Sequence, residues 1–245
     1  MSSFGALVIH GLFEHKGRHQ ENVSWLEKLG IEAHSFNLPG HGEVDEKGHI
    51  ESWDENMIAI SKAYEKIKSK DKKIIFSHSY GSLVSVSAIL QNKINPDYLI
   101  LSAPHFDDNY PKFIKNMSGS LSKLFPKLRA PSPVTRRNLS TDKDTVDKYF
   151  NDPLVFRSLT FKFGNEINNA QKFVNTNIHD LKIPTLILHG ADDKIVPIKV
   201  NNKISQLGNV KFLRVENSKH EILNQDTRMF VLSEIHQWFK EQNIL

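Results

Sequence analysis

Apolar residues follow two alternating patterns along the chain: short continuous runs and stripes with helical spacing. Continuous runs are typical of strands that are buried on both faces of a parallel sheet. They predict strands at Gly5–His10, Ile31–Leu38, Lys73–Ser77, Tyr98–Leu101, Pro184–His189 and Val210–Val215. Apolar residues at helical spacing predict helices before Gly30 and over Trp53–Ile67, the largely apolar Leu83–Leu90 predicts a buried helix, and Arg228–Phe239 is expected to form the final helix. Because strands alternate with helices, we expect an α/β fold around a mostly parallel sheet.

One long segment interrupts this alternation. From Pro104 to Leu181 no strand-like run appears, and the pattern is that of helices and loops. A loop of that length is improbable in a compact domain, so we expect an inserted helical subdomain. The predicted organisation is a core of residues 1–103 and 182–245, with a helical cap inserted at 104–181.

A basic, amphipathic stretch lies within this insertion. From Asn109 to Thr141 the chain has no acidic residue, and its basic residues are Lys112, Lys115, Lys123, Lys127, Arg129, Arg136 and Arg137. Apolar residues recur among them at steps of three and four: Phe113, Ile114, Met117, Leu121, Leu124, Phe125 and Leu128. Two interpretations remain open, a surface that contacts anionic membranes and a solvated helix face. Nucleic acid is not the expected partner, because a hydrophobic face is interleaved with the bases.

Composition excludes several classes of protein. The 245 residues contain no Cys, which excludes a disulfide framework, a thiolate zinc site and a Cys nucleophile. A hydrophobic fraction of 39% with 15 Phe supplies enough apolar surface for a folded core, and the net charge of +4 is mild. No basic, apolar leader and no run of 18 apolar residues is visible. We therefore expect a cytoplasmic protein. If the basic stretch of the cap contacts anionic membranes, the protein would also be peripheral to a membrane.

Ser79 is the candidate nucleophile. It lies in the stretch Ser77-His-Ser-Tyr-Gly81, directly after the third predicted strand and directly before an apolar helix. A tight strand-to-helix turn needs small residues two positions before and after the nucleophile, and it lifts the hydroxyl out at the carboxyl edge of the sheet. Gly81 meets this requirement and Ser77 meets it imperfectly. The alternative is an ordinary Ser at a helix start.

A Ser hydroxyl is a poor nucleophile unless a base takes its proton and an acid orients that base. Later strand ends supply both types of group. Asp192 and Asp193 follow the strand that ends at His189, and His220 follows the last strand. The order Ser, then Asp, then His is that of α/β-hydrolases. His220 is therefore the candidate base, and either aspartate is the candidate acid.

The loop after the first strand, His10-Gly-Leu-Phe13, is the candidate source of one oxyanion-hole donor. In a fold of this kind that loop supplies one backbone N–H, and the residue after the nucleophile supplies the other. Leu12 and Tyr80 would then be the donors. A metal site on His10, His15 and His19 is disfavoured because no His-Glu-x-x-His is present, and no glycine-rich nucleotide loop follows the strand. We expect no metal and no cofactor.

Taken together, these motifs resemble the α/β-hydrolase superfamily, and in particular its monoacylglycerol lipase and lysophospholipase branch. The resemblance is carried by the stretches His10–Arg18, Leu38–Gly42, Leu101–Pro104 and Asp152–Val155. The first is similar to the branch's oxyanion loop, and the last is similar to its cap motif. The Gly-x-x-Asp of Gly190–Asp193 selects Asp193 over Asp192 as the acid. The resemblance spans essentially the whole chain.

The chain departs from the family pattern at three places. The elbow begins with Ser77 where the family has Gly, and Ser82 stands where a second Gly is usual. The two strands that usually precede the oxyanion-loop strand are missing. Ile31–Leu38 is then expected at an edge of the sheet, which its polar Glu32, His34 and Asn37 tolerate.

The resemblance implies a serine hydrolase of carboxylic esters, with a monoacylglycerol-like or lysophospholipid-like single-chain acyl ester as the small-molecule substrate. Ser79, His220 and Asp193 would carry out acyl transfer through an acyl-enzyme. One such triad serves esters, thioesters and amides, so a thioesterase or a peptidase is the alternative within the class. A non-catalytic ligand-binding scaffold, suggested by Ser77 in the elbow, is the alternative outside it.

Overall fold

A computed structural model of the protein describes residues 3–108 and 119–245. Its strands are β1 (Phe4–Ile9), β2 (Glu32–Phe36), β3 (Lys72–His78), β4 (Tyr98–Ser102), β5 (Arg129–Pro131), β6 (Ser158–Thr160), β7 (Thr185–Gly190) and β8 (Val210–Val215). Its helices are α1 (Gln20–Lys28), α2 (Asp54–Tyr64), α3 (Tyr80–Leu90), α4 (Lys143–Asn151), α5 (Phe161–Asn177) and α6 (Arg228–Glu241). Residues 119–124 are helical too. Short 3₁₀ helices lie at Lys16–His19, Ile178–Asp180, Ile198–Asn201 and Ile204–Gln206.

The main sheet is parallel throughout. In the described residues its strand order is β2-β1-β3-β4-β7-β8, and every neighbouring pair runs in the same direction. This confirms the predicted α/β class and the place of β2 at an edge, where Glu32 and His34 are partly exposed. Because all strands point the same way, the loops after β1, β3, β7 and β8 gather at one edge of the sheet.

Helices cover both faces of this sheet. On one face Leu7, Ile75 and Leu101 belong to a buried cluster that includes apolar residues of α2, α3 and α5. On the other face Val8 and Phe76 belong to a second cluster with residues of α1 and α6. Successive residues of one strand therefore enter opposite cores. This two-sided burial is the physical reason why the strands appear in the sequence as continuous apolar runs.

The insertion contains a small sheet that the sequence pattern does not predict. Strands β5 and β6 pair in an antiparallel manner, with Ala130 opposite Leu159. The expectation that no strand occurs between Pro104 and Leu181 was therefore wrong. Each strand has three residues and most of them are exposed or half-buried, so the pair is held by backbone hydrogen bonds and leaves no apolar run to read.

Backbone hydrogen bonds join the insertion to loops at the carboxyl edge of the main sheet. The N–H of Thr160 donates to the carbonyl of Gly48 over 2.9 Å, and the N–H of Phe156 donates to that of Phe13 over 3.1 Å. On another side, Phe163 and Val174 of α5 are completely buried in the cluster that contains α3. The insertion is thus packed over this edge of the sheet, while the domain boundaries at 104 and 181 stay predictions.

Part of the basic stretch falls outside the described residues. Lys112, Lys115, Phe113, Ile114 and Met117 lie between residues 109 and 118, so their role in the basic stretch stays a prediction. In the described ranges no helix has both the length and the apolar character that a membrane span requires.

Candidate active site

Ser79 occupies the turn between β3 and α3. Its backbone has φ 49° and ψ −114°, a strained conformation for a residue with a Cβ atom. Gly81 makes the turn sterically possible, because a Cβ atom at that position would lie 2.4 Å from the carbonyl oxygen of His10. Helix α3 thus begins in direct contact with the end of β1. The turn presents the Ser79 hydroxyl at the carboxyl edge of the sheet.

The two departures from the family pattern near Ser79 contact each other. The Ser82 hydroxyl donates to the Ser77 carbonyl over 3.1 Å, and the two side-chain oxygens lie 3.3 Å apart. Both residues are buried. A pair of Ser therefore occupies space that paired Gly residues would leave open, and it ties the last residues of β3 to the first turn of α3.

The structure brings Ser79, His220 and Asp193 into one hydrogen-bonded chain. Nε2 of His220 lies 3.0 Å from the Ser79 Oγ, and Nδ1 lies 2.7 Å from Oδ2 of Asp193. Since a carboxylate only accepts, Nδ1 carries the hydrogen and Nε2 is free to accept from the hydroxyl. Asp192, the other candidate acid, is exposed.

Asp193 is held by the backbone of its own loop. Its Oδ1 accepts the N–H groups of Ile195 and Val196 over 2.8 and 2.9 Å. Burial alone would raise the pKa of Asp193, but His220 is the largest of the opposing influences and the net shift is downward. Burial likewise disfavours the cation of His220, and Asp193 reverses this and raises the pKa of His220 above its ordinary value. The pair therefore favours an aspartate anion beside an imidazole that accepts a proton readily.

His10 and Glu14 fix the loop that carries Leu12. The N–H of Leu38 donates to Nε2 of His10 over 3.0 Å, so the ring hydrogen sits on Nδ1 and points to the Gly11 carbonyl, 2.8 Å away. The Gly11 N–H donates to Oε1 of Glu14 over 2.6 Å. In a trans peptide the N–H points opposite to the carbonyl. Because the Gly11 carbonyl faces His10, the N–H of Leu12 is turned away from that ring.

Tyr80, the other predicted donor, is the first residue of α3. Its N–H therefore has no partner within the helix, as is usual for the first turn. Its side chain plays a separate part: it is completely buried and packs against His41, Trp53 and Phe163. The roles of Leu12 and Tyr80 as oxyanion donors stay predictions.

A buried charge network that motif reasoning does not assign joins the loop after β1 to the loop of His220. Arg18 donates from Nε to Glu14 over 2.9 Å and from Nη2 to both oxygens of Glu221 over 2.6 and 2.5 Å. Nε2 of His19 lies 2.9 Å from Glu14. Burial alone would lower the pKa of Arg18, but the two carboxylates raise it by more, and the net shift is upward. The guanidinium is therefore a permanent cation. The sequence analysis singled out the stretch His10–Arg18 as a loop of the family, but it did not predict the contacts of Arg18 with Glu14 and Glu221.

His15 and Asp152 connect the same loop to the insertion. Nε2 of His15 lies 2.8 Å from Oδ2 of Asp152, and Oδ1 accepts the N–H of Leu154 over 2.8 Å. Burial would raise the pKa of Asp152, but His15, the Leu154 N–H and the charge of Arg18 together outweigh it and the net shift is downward. The predicted cap motif Asp152–Val155 is thus a contact between the insertion and the loop of Leu12. His10, His15 and His19 each have a different partner: the Gly11 carbonyl, Asp152 and Glu14.

An apolar cavity of about 520 Å³ opens over Ser79. Leu12, Ser79 and His220 are among its lining residues. Its apolar walls come from both the core and the insertion and include Val134, Leu139, Leu159, Ile167, Ile195 and Val196. The polar lining residues include Glu14, His105, Asp108, Asn168, Lys194 and Glu221. A cavity of this size and polarity suits a small molecule with a long apolar part.

Comparison with known proteins identifies the family. The family model described as "Serine aminopeptidase, S33" matches residues 6–227, which is most of the chain. The chain belongs to the S33 family of α/β-hydrolases.

Relatives of this S33 protein include lipid hydrolases. Phospholipase YtpA of Bacillus subtilis is 26% identical over 234 residues, which cover 91% of this chain and 89% of the relative. Human monoglyceride lipase is 23% identical over an aligned length of 255, and the alignment covers 96% of this chain and 82% of the relative. The crystal structure of Paleococcus ferrophilus monoacylglycerol lipase matches with a TM-score of 0.86 at 24% identity, covering 95% and 93% of the two chains. This structural likeness confirms the predicted α/β-hydrolase fold.

Replacing Arg18 with Met should destabilise the S33 protein strongly. The change leaves Glu221 buried without its guanidinium partner and leaves Glu14 paired with His19, and removing one partner of a buried pair typically costs about 3–5 kcal/mol. Burial already raises the pKa of Glu221 despite the opposing effect of Arg18, and in the variant that rise is larger. The deficit should therefore be greatest above this raised pKa and shrink as the pH falls through it.

Denaturant unfolding at pH 5.5 and pH 8 measures this effect. Arg214→Met is the matched control, because Arg214 pairs with Glu216 at the surface, where both side chains are more than half exposed. An exposed pair contributes at most about 1 kcal/mol. Equal unfolding free energies for the two variants would show that the buried network has no special importance.

Proposed function

We propose that this S33 protein is a serine hydrolase of carboxylic esters that acts on single-chain acyl esters such as monoacylglycerols or lysophospholipids. One observation carries the proposal: the hydrogen-bonded chain of Ser79, His220 and Asp193 faces an apolar cavity. The names of the relatives, a phospholipase and monoglyceride lipases, support esters of fatty acids as the substrate class.

In the proposed mechanism His220 takes the proton of the Ser79 hydroxyl while the oxygen attacks the ester carbonyl. Asp193 keeps the ring in the reactive tautomer and stabilises its cation. The N–H groups of Leu12 and Tyr80 stabilise the negative oxygen of the tetrahedral intermediate. The intermediate collapses to an acyl-enzyme as His220 gives its proton to the leaving alcohol. Water, activated by the same imidazole, then releases the fatty acid and restores the hydroxyl.

The charges around the cavity favour an ester over an aminopeptidase substrate. A free α-amino group is a cation, and a site that selects it needs an available carboxylate. Two of the acidic residues that line the cavity, Glu14 and Glu221, are already engaged by Arg18. The third, Asp108, lies 4.0 Å from His105. Much of the remaining wall is apolar, which suits an acyl chain.

Ser79→Ala should abolish covalent labelling by a fluorophosphonate probe, because the probe reacts only with an activated hydroxyl. Turnover should fall by about a millionfold if chemistry limits the rate. Gel fluorescence and ester hydrolysis by purified protein measure both effects.

Ser233→Ala is the control, since Ser233 is exposed on α6 and this variant should label as the wild type does. Labelling that persists in Ser79→Ala would remove the assignment, and a wild-type protein that never labels would favour a non-catalytic scaffold.

A set of matched substrates should separate the ester activity from its alternatives. We expect kcat/KM to be highest for a monoacylglycerol or lysophospholipid, lower for an acyl thioester of the same chain length, and lowest for an aminoacyl amide. Varying the acyl chain at constant head group tests whether the apolar cavity binds it. Preference for the amide over both acyl compounds would instead support a peptidase.

The insertion also presents a surface suited to lipid. Leu124, Phe125 and Leu128 have 72%, 56% and 53% of their surface exposed, and Lys123 and Lys127 lie among them. We call these five residues the basic apolar patch. Exposed apolar side chains with flanking bases match an interfacial membrane contact more closely than a solvated helix face. We propose that this patch binds anionic lipid surfaces, close to the source of an acyl substrate.

Reversing two charges of the patch, Lys123→Glu with Lys127→Glu, should weaken binding to vesicles that contain phosphatidylserine. Each Lys near such a surface contributes about 1 kcal/mol, so we expect at least about a tenfold loss of affinity. Vesicle sedimentation at two salt concentrations measures it. The control is Lys66→Glu with Lys68→Glu, at exposed positions just after α2 and at the opposite end of the sheet. Equal, salt-insensitive binding of all three proteins would contradict docking through the patch.

A further inference from the structure

A second imidazole contacts the carboxylate of Asp193. Nε2 of His189 lies 3.2 Å from Oδ2 of Asp193, the same oxygen that pairs with His220. Both side chains are completely inaccessible to solvent. His189 lies next to the end of β7, so the strand itself sets its position. The sequence analysis named His189 as the end of the strand before Asp193, but it did not predict the contact between the two side chains.

The neighbours of His189 determine which ring nitrogen carries hydrogen. Nε2 also lies 2.8 Å from the carbonyl oxygen of Val196. Both partners of Nε2, a carboxylate and a carbonyl, only accept, so Nε2 must be an N–H donor. Nδ1 lies 2.9 Å from Nδ2 of Asn201, which donates to it. The ring is therefore held at both nitrogens.

Asp193 thus has four N–H groups around its two oxygens, and the single hydrogen on Nε2 of His189 is shared between Oδ2 at 3.2 Å and the Val196 carbonyl at 2.8 Å. Oδ1 accepts two backbone N–H groups, and Oδ2 lies within reach of both imidazoles. A carboxylate whose charge is shared with a second donor attracts the proton of His220 less strongly than one that faces His220 alone. Together with the two backbone N–H groups on Oδ1, the same contact restricts rotation of the carboxylate about its Cβ–Cγ bond. His189 can therefore affect both the orientation of His220 and its basicity.

Accepting the proposed function, we infer that His189 is a positioning residue: its Nε2–H holds Asp193 in the orientation that His220 requires and limits the basicity of His220. Outer partners that orient metal ligands typically change activity 10- to 100-fold when mutated, and we expect an effect of that size for a residue that orients Asp193. The role is distinct from a purely structural one, because it acts on the proton affinity of another residue.

Other ionisable groups also face His220 and have to be taken into account. The His78 ring centroid is 4.8 Å from that of His220, and burial, with His220 nearby, lowers the pKa of His78 to about 3. Glu221 and Glu14 act on His220 by charge and raise its pKa, after the larger effect of Asp193. All of these groups are the same in variants of His189. A difference in pH profile between such variants therefore reports on His189.

His189→Gln and His189→Asn form a matched pair that tests the inference. The amide nitrogen of Gln reaches the position of Nε2 and can donate to Asp193, whereas the shorter Asn reaches only the position of Nδ1. His189→Gln should keep kcat within about threefold of wild type, and His189→Asn should lose about 10- to 100-fold, mainly in kcat. In His189→Asn the acid limb of kcat/KM should move to higher pH by at least about half a unit, because His220 becomes more basic.

Hydrolysis of a water-soluble short-chain ester between pH 5 and 9 provides both readouts, with thermal unfolding measured in parallel. A wild-type profile for His189→Asn, equal losses in the two variants, or an acid limb that moves down or stays in place would each overturn the inference. If His189→Asn does not fold, Asn201→Leu replaces it. That variant keeps His189 but frees its Nδ1, and it should shift the acid limb in the same direction, whereas an unshifted limb overturns the inference.

The outcome is separable from that of the proposed function. Loss of labelling and turnover in Ser79→Ala together with normal His189→Asn kinetics would reject only the positioning role. Retained activity in Ser79→Ala would instead reject the proposed reaction itself.

Discussion

Burial of charge at the carboxyl edge of the sheet is the constraint on which the rest of the site depends. Asp193, Glu14 and Glu221 are carboxylates with almost no access to solvent. A buried anion is tolerated only when donors surround it. The loops after β1, β7 and β8 therefore have conformations that point N–H groups and cations inward. Ser79 is hydrogen-bonded through His220 to Asp193, one of these buried carboxylates.

The strained turn of Ser79 is stabilised by packing on both sides. Gly81 allows α3 to approach His10 closely, and the backbone N–H of Ser79 donates to the carbonyl of Ser102 on β4 over 2.8 Å. Ser77 and Ser82 close the remaining space between strand and helix. Because neighbouring strands and the helix all restrain the turn, its unfavourable φ persists in the folded protein. A hydroxyl held in this way would need no rearrangement before the proposed attack, which is the preorganisation that catalysis by oriented groups requires.

The sheet and the candidate triad were accessible from sequence for a common reason. Strands buried on two faces leave apolar runs, and the ends of such runs mark one edge of a parallel sheet, so Ser79, Asp193 and His220 were predictable as neighbours. Strands β5 and β6 were not, because their pairing uses backbone atoms and leaves no side-chain pattern. The bond between Arg18 and Glu221 joins residues 203 positions apart, and no local periodicity records such a contact. The contact between His189 and Asp193 was unpredictable for a similar reason, since only the folded loop brings the two side chains together.

The loop that carries Leu12 also holds the insertion, so the insertion that lines part of the cavity is tied to the candidate site. Phe13 has φ 71°, its carbonyl accepts the N–H of Phe156, and their rings meet edge to face at 5.2 Å. His15 and Asp152 add an ionic contact beside them. This side of the insertion cannot shift without displacing the loop that follows β1. The basic apolar patch lies elsewhere on the insertion; its Lys127 pairs with Glu46 over 3.4 Å, while Leu124, Phe125 and Leu128 are more than half exposed. The insertion thus combines a side fixed to the candidate site with a side that presents apolar groups to its surroundings.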